Sequence, residues 1–182
     1  MVDKIILRTF TKEDTAITWQ WRNQQAVQDH FSGHPYSVTR AQEEDWYEKS
    51  VRNNESQNVF AIEKVIDSKL VGLSFLKNIN KNNLQAEFAI LIDENYSGKG
   101  YGGQACYATL KLAFLKLKLH RVFLKVRVDN EPAIRLYESC GFKIEGELRD
   151  DVFKKDKFRN QFIMGILDSD FKNVMQRESP NS

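Results

Sequence analysis

The residues best suited to chemistry lie in a glycine-dense stretch at positions 95–105, which reads Asn-Tyr-Ser-Gly-Lys-Gly-Tyr-Gly-Gly-Gln-Ala. It holds four of the nine glycines in the chain and separates a strand-like run from a helix-like run. Backbone without Cβ atoms can curve so that several N–H groups point inward, and a helix that begins there adds the positive end of its dipole. The sequence therefore predicts a binding site for an anionic group, most often a phosphate.

Two common phosphate-binding motifs fit this stretch poorly. Residues 98–103 satisfy the G-x-G-x-x-G pattern of dinucleotide-binding folds, but that pattern needs an acidic residue ~20 positions later, at the end of the next strand. Here the next strand-like run, 121–128, is basic and apolar, and Asp129 comes too late. A P-loop needs Gly-Lys followed by Ser or Thr, and the stretch contains no such run.

A second motif follows at 130–142, where Asn-Glu-Pro-Ala-Ile-Arg-Leu-Tyr-Glu-Ser-Cys-Gly-Phe fits the pattern N-x-x-A-x-x-x-Y-x-x-x-G-F. This pattern, together with a loop at 97–102 that fits (Gln/Arg)-x-x-G-x-(Gly/Ala), resembles the signatures of the GNAT superfamily of N-acetyltransferases. Ser97 is the one departure from the loop motif, and it leaves the backbone amides unchanged. The resemblance is specific from residue 59 to residue 167. It extends to the subgroup of ribosomal-protein alanine, spermidine and amino-sugar acetyltransferases.

The resemblance implies both the fold class and the coenzyme. It implies an α+β domain with a mixed, mostly antiparallel central sheet and helices on both faces. Two parallel strands, 86–93 and 121–128, would splay apart to hold acetyl-CoA, and no metal is expected. The pantetheine arm would bond to main chain on the first of these strands, and the pyrophosphate to the glycine loop. The implied coenzyme-binding residues are Ile90, Leu91, Ile92, Ser97, Gly98, Lys99, Gly100, Tyr101, Gly102, Gly103, Asn130 and Ala133.

Tyr137 and Glu87 are the implied catalytic residues. Amide formation from a thioester requires a neutral amine, a polarised carbonyl and a proton for the leaving thiolate. A phenol of pKa ~10 suits protonation of a thiolate of pKa ~8–9, so Tyr137 fits the general acid. The alternative is that Tyr137 only packs beside Phe142. Glu87 would take the proton of the amine, directly or through water, and its alternative is an ordinary carboxylate at a strand end.

The acceptor amine is left open by the sequence. Arg22, in a Trp-Arg-Asn run, and Tyr36, in a Pro-Tyr loop, are the candidate acceptor-binding residues. They are similar to residues of enzymes that act on nucleotide-linked amino sugars, where Arg could meet a phosphate. The Pro-Tyr loop is also similar to spermidine acetyltransferases, but Gly33 and His34 stand where a polyamine would need carboxylates. A protein N-terminus is a third candidate, and a catalytically inactive module that binds coenzyme A is the alternative from another functional class.

The order of patterned segments predicts a single domain over residues 1–182. Strand-like runs alternate with helix-like runs, which begin at Thr11 or Asp14, at a capping box in 39–42, at residue 103 and at residue 130. The predicted order is β-α-α-β-β-β-α-β-α-β-β. We assign 1–57 to helices on the acceptor side, 58–167 to the coenzyme-binding core, and 168–182 to a polar tail that frays.

Composition narrows the class of protein. The chain has 182 residues, 41% apolar and 29% charged, which is typical of a globular domain. No apolar run approaches the ~18 residues that cross a membrane, and the N-terminus lacks signal-peptide features, so we expect a cytoplasmic protein. A net charge of +2 predicts no nucleic-acid partner. The expected partner is a small-molecule or peptide amine, a homodimer is left open, and Cys106 and Cys140 are predicted to be buried thiols.

Overall fold

The computed structural model describes residues 4–30 and 37–178, which form a seven-stranded sheet of order β1-β2-β3-β4-β5-β7-β6 with helices packed on it. The strands are β1 Ile5–Thr9, β2 Asn58–Lys64, β3 Leu70–Asn80, β4 Gln85–Ile92, β5 Arg121–Arg127, β6 Lys143–Lys154 and β7 Lys157–Leu167. The helices are α1 Thr15–Arg22, α2 Gln25–His30, α3 Arg40–Trp46, α4 Tyr101–Lys111, α5 Glu131–Ser139 and α6 Asp168–Glu178. Short π-helical turns, Tyr47–Val51 and Leu112–Lys116, continue α3 and α4, and a 3₁₀ turn, Glu94–Tyr96, follows β4.

The sheet confirms the predicted fold class. Strands β1 to β4 form an antiparallel meander, and β7 pairs antiparallel with both β5 and β6. The pair β4–β5 is parallel, and α4 makes the crossover between its two strands. The first predicted helix is divided in two at Asn23, whose side chain exchanges two hydrogen bonds of 2.8 Å with the backbone of Val38.

Strand β3 shows why helices cover both faces of the sheet. Leu73 and Phe75 pack with Trp21 and Trp46, from α1 and α3. The side chains that alternate with Leu73 and Phe75 along β3 point to the other face of the sheet, toward α4. There the hydroxyl of Ser74 lies 2.6 Å from the hydroxyl of Thr109. The alternation along one strand therefore divides the core between α1 and α3 on one face of the sheet and α4 on the other.

The helix starts follow local sequence signals. Thr39 and Gln42 form the predicted capping box, in which each side chain binds the backbone N–H of the other residue. Asn130 caps α5, because its side chain accepts a hydrogen bond from the N–H of Ala133. Cys106 and Cys140 are buried as predicted and are not in a disulfide, and burial raises the pKa of the Cys106 thiol.

The prediction of a frayed tail at 168–182 is wrong for the part of it that the structure describes. Residues Asp168–Glu178 form α6, with two acidic residues in its first turn, where they favour the helix dipole. Phe171 is fully buried, and its ring packs 5.3 Å from that of Phe114 and 5.4 Å from that of Tyr107. The segment is polar on average, but one apolar stripe is enough to hold it on the core.

Replacing Phe171 tests whether α6 belongs to the folded core. We expect Phe171→Ala to lower the free energy of unfolding by about 3–5 kcal/mol, because it removes a buried ring and leaves a cavity. Denaturant unfolding followed by circular dichroism measures this change. The matched control is Asn173→Ala on the exposed face of the same helix, which should leave stability nearly unchanged. Equal effects of the two substitutions would contradict the packing of α6.

Candidate active site

The parallel strands β4 and β5 separate soon after they meet. They pair at only three positions, Gln85 with Arg121, Ala86 with Val122 and Glu87 with Phe123, although both strands continue. Past these pairs, the edge of β4 that faces β5 has no partner strand within the described residues. Backbone N–H and C=O groups there need other partners, so this edge can bind an extended ligand arm.

A glycine on the neighbouring strand lets the end of β4 lie close against β3. Gly72 stands opposite Ile92, and a Cβ atom at Gly72 would lie 2.5 Å from the carbonyl oxygen of Leu91. Only glycine fits this backbone approach without displacing β4. The close contact holds the end of β4 against β3.

A cavity of about 570 Å³ lies where the two strands separate. Most of the predicted site residues line it, and they come from four different elements. The predicted residues that line the cavity are Glu87, Ile90, Leu91, Ile92, Ser97, Gly98, Gly100, Tyr101, Gly102, Gly103, Asn130, Ala133 and Tyr137. The fold therefore gathers the glycine loop, the free edge of β4 and the second motif into one place.

The glycine loop has a backbone that other residues adopt only with strain. Gly98 and Gly100 have φ angles of 73° and 80°, and Gly100 is the residue before the first turn of α4. A Cβ atom added at Gly98 or Gly103 would meet no atom of a more distant residue within 4 Å. The first N–H groups of α4 have no partners within the helix and lie at the cavity, which makes this end an anion site.

Lys99 is the one predicted coenzyme-binding residue of the glycine loop whose position differs from that of the others. It is absent from the cavity lining, and its ammonium group donates a hydrogen bond of 2.8 Å to the carbonyl oxygen of Asn95. The same group lies 5.3 Å from the ring centre of Tyr96. Its side chain therefore braces the loop from outside.

Tyr137 lies deep in the cavity, and its ring is fixed by aromatic contacts. The ring meets Phe88 edge-on at 6.1 Å and packs 5.9 Å from Phe142. Burial, and to a lesser extent the thiols of Cys106 and Cys140, raises the pKa of the phenol above its ordinary value. Within the described part of the chain the hydroxyl has no hydrogen-bond partner, so a protonated donor faces the cavity.

Glu87 lies at the last paired position of β4, and polar neighbours hold its carboxylate. Its Oε1 is 3.0 Å from the ammonium nitrogen of Lys77, and its Oε2 accepts a hydrogen bond of 2.9 Å from the amide of Asn78. Lys77 also lines the cavity. These contacts hold the carboxylate of Glu87 at the mouth of the gap between the strands.

Arg22, one of the two predicted acceptor-binding residues, does not line the cavity. Arg22 contacts the buried carboxylate of Glu43 at 2.6 Å, and its guanidinium lies 4.3 Å from the ring centre of Trp46. Glu43 also accepts a hydrogen bond from Thr18, so Arg22 belongs to an ionic contact between α1 and α3. The prediction that Arg22 binds the acceptor stays a prediction, and Tyr36 lies outside the described residues.

Several cavity residues were missed by the sequence analysis. Lys125 and Arg127 of β5 line the cavity, and both form ion pairs with carboxylates, at 2.9 Å to Asp151 and 2.7 Å to Asp129. The sequence of β5 alternates between apolar and basic residues. Because alternate side chains of a strand point to opposite faces, this alternation could have predicted that its basic residues face away from the core. Val27 of α2 and Glu94 also line the cavity, but their positions depend on contacts far apart in the sequence.

Residues 4–30 and 37–178 contain no group of three His, Cys, Asp or Glu side chains placed to hold a metal ion. No helix in the same ranges is long and apolar enough to cross a membrane.

Comparisons with known proteins agree with this geometry. Residues 4–143 match the sequence model of a family described as acetyltransferase (GNAT) domain. The chain is 32% identical over 161 residues to the spermidine N(1)-acetyltransferase of Escherichia coli K12, and the match covers 88% of this chain and 84% of that protein. The crystal structure of spermidine N-acetyltransferase from Vibrio cholerae in complex with CoA and spermine has a TM-score of 0.87 at 30% identity, over 93% of this chain and 98% of that one. A dodecameric structure of the Vibrio cholerae enzyme has a TM-score of 0.81 at 29% identity, over 93% and 96%.

Two alanine substitutions in the glycine loop should change stability in opposite directions. Gly98→Ala places a Cβ atom on a left-handed backbone and should lower the free energy of unfolding by about 1–2 kcal/mol. Gly103→Ala, inside α4 and with open space around it, should raise stability by about 0.5–1 kcal/mol, since alanine favours the helix. Denaturant unfolding of both variants measures the difference. Stabilisation by Gly98→Ala would show that the loop has another conformation.

Proposed function

Because the chain belongs to the GNAT family and is an acetyl-CoA-dependent N-acetyltransferase, we propose that it transfers the acetyl group to a primary amine of a polyamine such as spermidine. One observation supports the proposal more than any other. A single cavity brings together an anion site at the start of α4, an unpaired strand edge and the hydroxyl of Tyr137. These are the three elements that binding and cleavage of a thioester coenzyme require.

The coenzyme would lie along the gap between β4 and β5. Its pyrophosphate would accept hydrogen bonds from the backbone of Gly98–Gly103, and its pantetheine arm would bond to main chain at Ile90, Leu91 and Ile92, on the free edge of β4. Asn130 and Ala133, at the start of α5, line the other wall. A backbone N–H of β4 beside the thioester would polarise its carbonyl, which favours attack by an amine.

The reaction would proceed by direct attack. The lone pair of the neutral amine forms a bond to the carbonyl carbon, and collapse of the tetrahedral intermediate breaks the carbon–sulfur bond. The leaving thiolate takes a proton from the hydroxyl of Tyr137. Glu87 takes a proton from the amine nitrogen, directly or through water, and returns Tyr137 to its neutral form through solvent.

Polarity near the cavity favours a polyamine over a nucleotide-linked amino sugar. The arginine that could meet a nucleotide phosphate, Arg22, is held by Glu43 outside the cavity. Two carboxylates, Glu87 and Glu94, line the cavity instead, and no salt bridge involves Glu94 within the described ranges. The basic residues that line the cavity, Lys77, Lys125 and Arg127, each pair with a carboxylate, so Glu94 is the lining carboxylate that a cation could meet. The named activities of the bacterial relatives support the same class of acceptor.

Self-association is also part of the proposal. The edge strand β6 and its partner β7 carry two exposed aromatic residues, Phe153 and Phe158, at their joined ends. Their exposed fractions are 57% and 62%, which is high for phenylalanine. A homo-oligomer would cover such a surface, and the dodecameric assembly of the Vibrio cholerae relative supports this expectation.

A panel of acceptors tests the proposed function. Purified protein is incubated with acetyl-CoA and, separately, with spermidine, spermine, a nucleotide-linked amino sugar and a short peptide with a free N-terminus. Release of the coenzyme thiol and mass spectrometry of the products measure transfer. We expect release with the polyamines above the rate with the other amines. Transfer to the peptide or the sugar alone would overturn the polyamine proposal, and tight binding of coenzyme A without any release would indicate a non-catalytic module.

Tyr137→Phe tests the general acid. It should lower kcat roughly 100-fold or more with little change in the Kd of coenzyme A, because only the proton donor is removed. Tyr47→Phe, which removes a hydroxyl outside the cavity, is the matched control and should keep the wild-type rate. The raised pKa keeps the Tyr137 phenol protonated, so the wild-type rate should not fall as pH rises toward ~10. An unchanged kcat in Tyr137→Phe would exclude the assignment.

A further inference from the structure

One glutamine joins the acceptor-side helices to the coenzyme loop. Gln24 lies between α1 and α2, and its Nε2 donates a hydrogen bond of 2.8 Å to Oδ1 of Asp93. Its Oε1 accepts a hydrogen bond of 3.3 Å from the backbone N–H of Glu94. Both groups of one side-chain amide therefore bind residues just after β4, where the chain turns toward the glycine loop.

The partner carboxylate is buried and depends on neutral donors. The side chain of Asp93 belongs to a residue that is only 7% exposed, and no salt bridge involves it in the described part of the chain. Its Oδ1 also accepts from the backbone N–H and the side-chain amide of Asn95, at 3.2 and 3.1 Å. A buried carboxylate that loses one of so few donors is destabilised, so Gln24 helps to fix the turn Glu94–Tyr96.

Both ends of this contact reach the cavity. On the coenzyme side, Glu94 and Tyr96 of the turn line the cavity, and the glycine loop follows directly. On the acceptor side, Val27 of α2 lines the same cavity one helical turn after Gln24. The backbone carbonyl of Gln24 also accepts a hydrogen bond from the N–H of Gln28, so the glutamine begins the helix that carries Val27.

We propose that Gln24 is a positioning residue that couples coenzyme binding to the order of α2 on the acceptor side. A coenzyme bound at the loop restricts the turn Glu94–Tyr96, and the two hydrogen bonds of Gln24 transmit that restriction to the start of α2. The conformational entropy of α2 that is lost when the coenzyme binds is then not lost again when the acceptor binds. Binding of the coenzyme therefore strengthens binding of the acceptor, which is positive coupling. The inference rests on the proposed function in assigning the α2 side of the cavity to the acceptor amine.

Hydrogen–deuterium exchange with coenzyme A alone tests the coupling. In the wild-type protein, saturating coenzyme A should slow amide exchange in peptides covering the loop and in those covering α2, the latter by about 5-fold or more, the lower end of usual coupling. Gln24→Leu keeps the size of the side chain and removes its amide. We expect it to lose the protection of α2 while it keeps the protection of the loop. Gln20→Leu, exposed on α1, is the matched control and should behave as the wild type.

Two results would overturn the proposal. One is wild-type α2 whose exchange does not respond to coenzyme A, and the other is a response of α2 in Gln24→Leu equal to that of the wild type. If Gln24→Leu does not fold, Gln24→Met, unbranched and without the amide, takes its place. The exchange measurement contains no acceptor, so a failure of polyamines in the acceptor panel would leave its result unaffected.

A kinetic measurement separates positioning from a purely structural role. Once the acceptor panel has identified a substrate, Gln24→Leu should raise the KM of that amine severalfold with a smaller change in kcat. Lower thermal stability with an unchanged KM would mean that the glutamine only holds the fold together. A lower kcat with an unchanged KM would likewise contradict a role on the acceptor side.

Discussion

The site depends on the parting of two parallel strands. Parallel neighbours in a sheet normally continue their ladder, because each unpaired N–H or C=O group in a protected place is costly. Here β4 and β5 stop pairing after Glu87 and Phe123, and the backbone groups left over are available to bind a ligand. The polar backbone thus supplies recognition that side chains alone would not, and the rings of Phe88, Tyr137 and Phe142 pack where the strands part.

Different forces attach the two halves of the molecule to this frame. The coenzyme half is apolar, since α4 and α6 bury aromatic and aliphatic side chains against the sheet. The half that contains α1, α2 and α3 combines a smaller apolar cluster with buried polar contacts, among them Arg22 with Glu43 and Gln24 with Asp93. Polar contacts are directional, so they fix orientation more than they add stability. Such a division suits an enzyme whose donor is constant and whose acceptor must be aligned.

Features that depend only on neighbouring residues could be predicted from the sequence, and features that depend on contacts between residues far apart in the sequence could not. The capping box at Thr39 and the glycine loop need only neighbouring residues, and the structure contains both. The ion pair of Arg22 could not be predicted, because its partner Glu43 lies on another helix and nothing near Arg22 in the sequence reveals that pairing. For α6 the signal was present but weak, since Phe171 and the apolar residues three and four positions later form one stripe in a polar segment. The catalytic roles of the lining residues remain predictions.

Gly72 lies behind the gap and is not one of the residues that line it. A methyl group there would press on the carbonyl oxygen of Leu91, so the end of β4 would have to shift. The end of β4 forms one wall of the gap, so the shape of the gap would change although every residue that lines it would be unchanged. Evolution or design could therefore alter the ligand that the gap admits by replacing one small residue behind it.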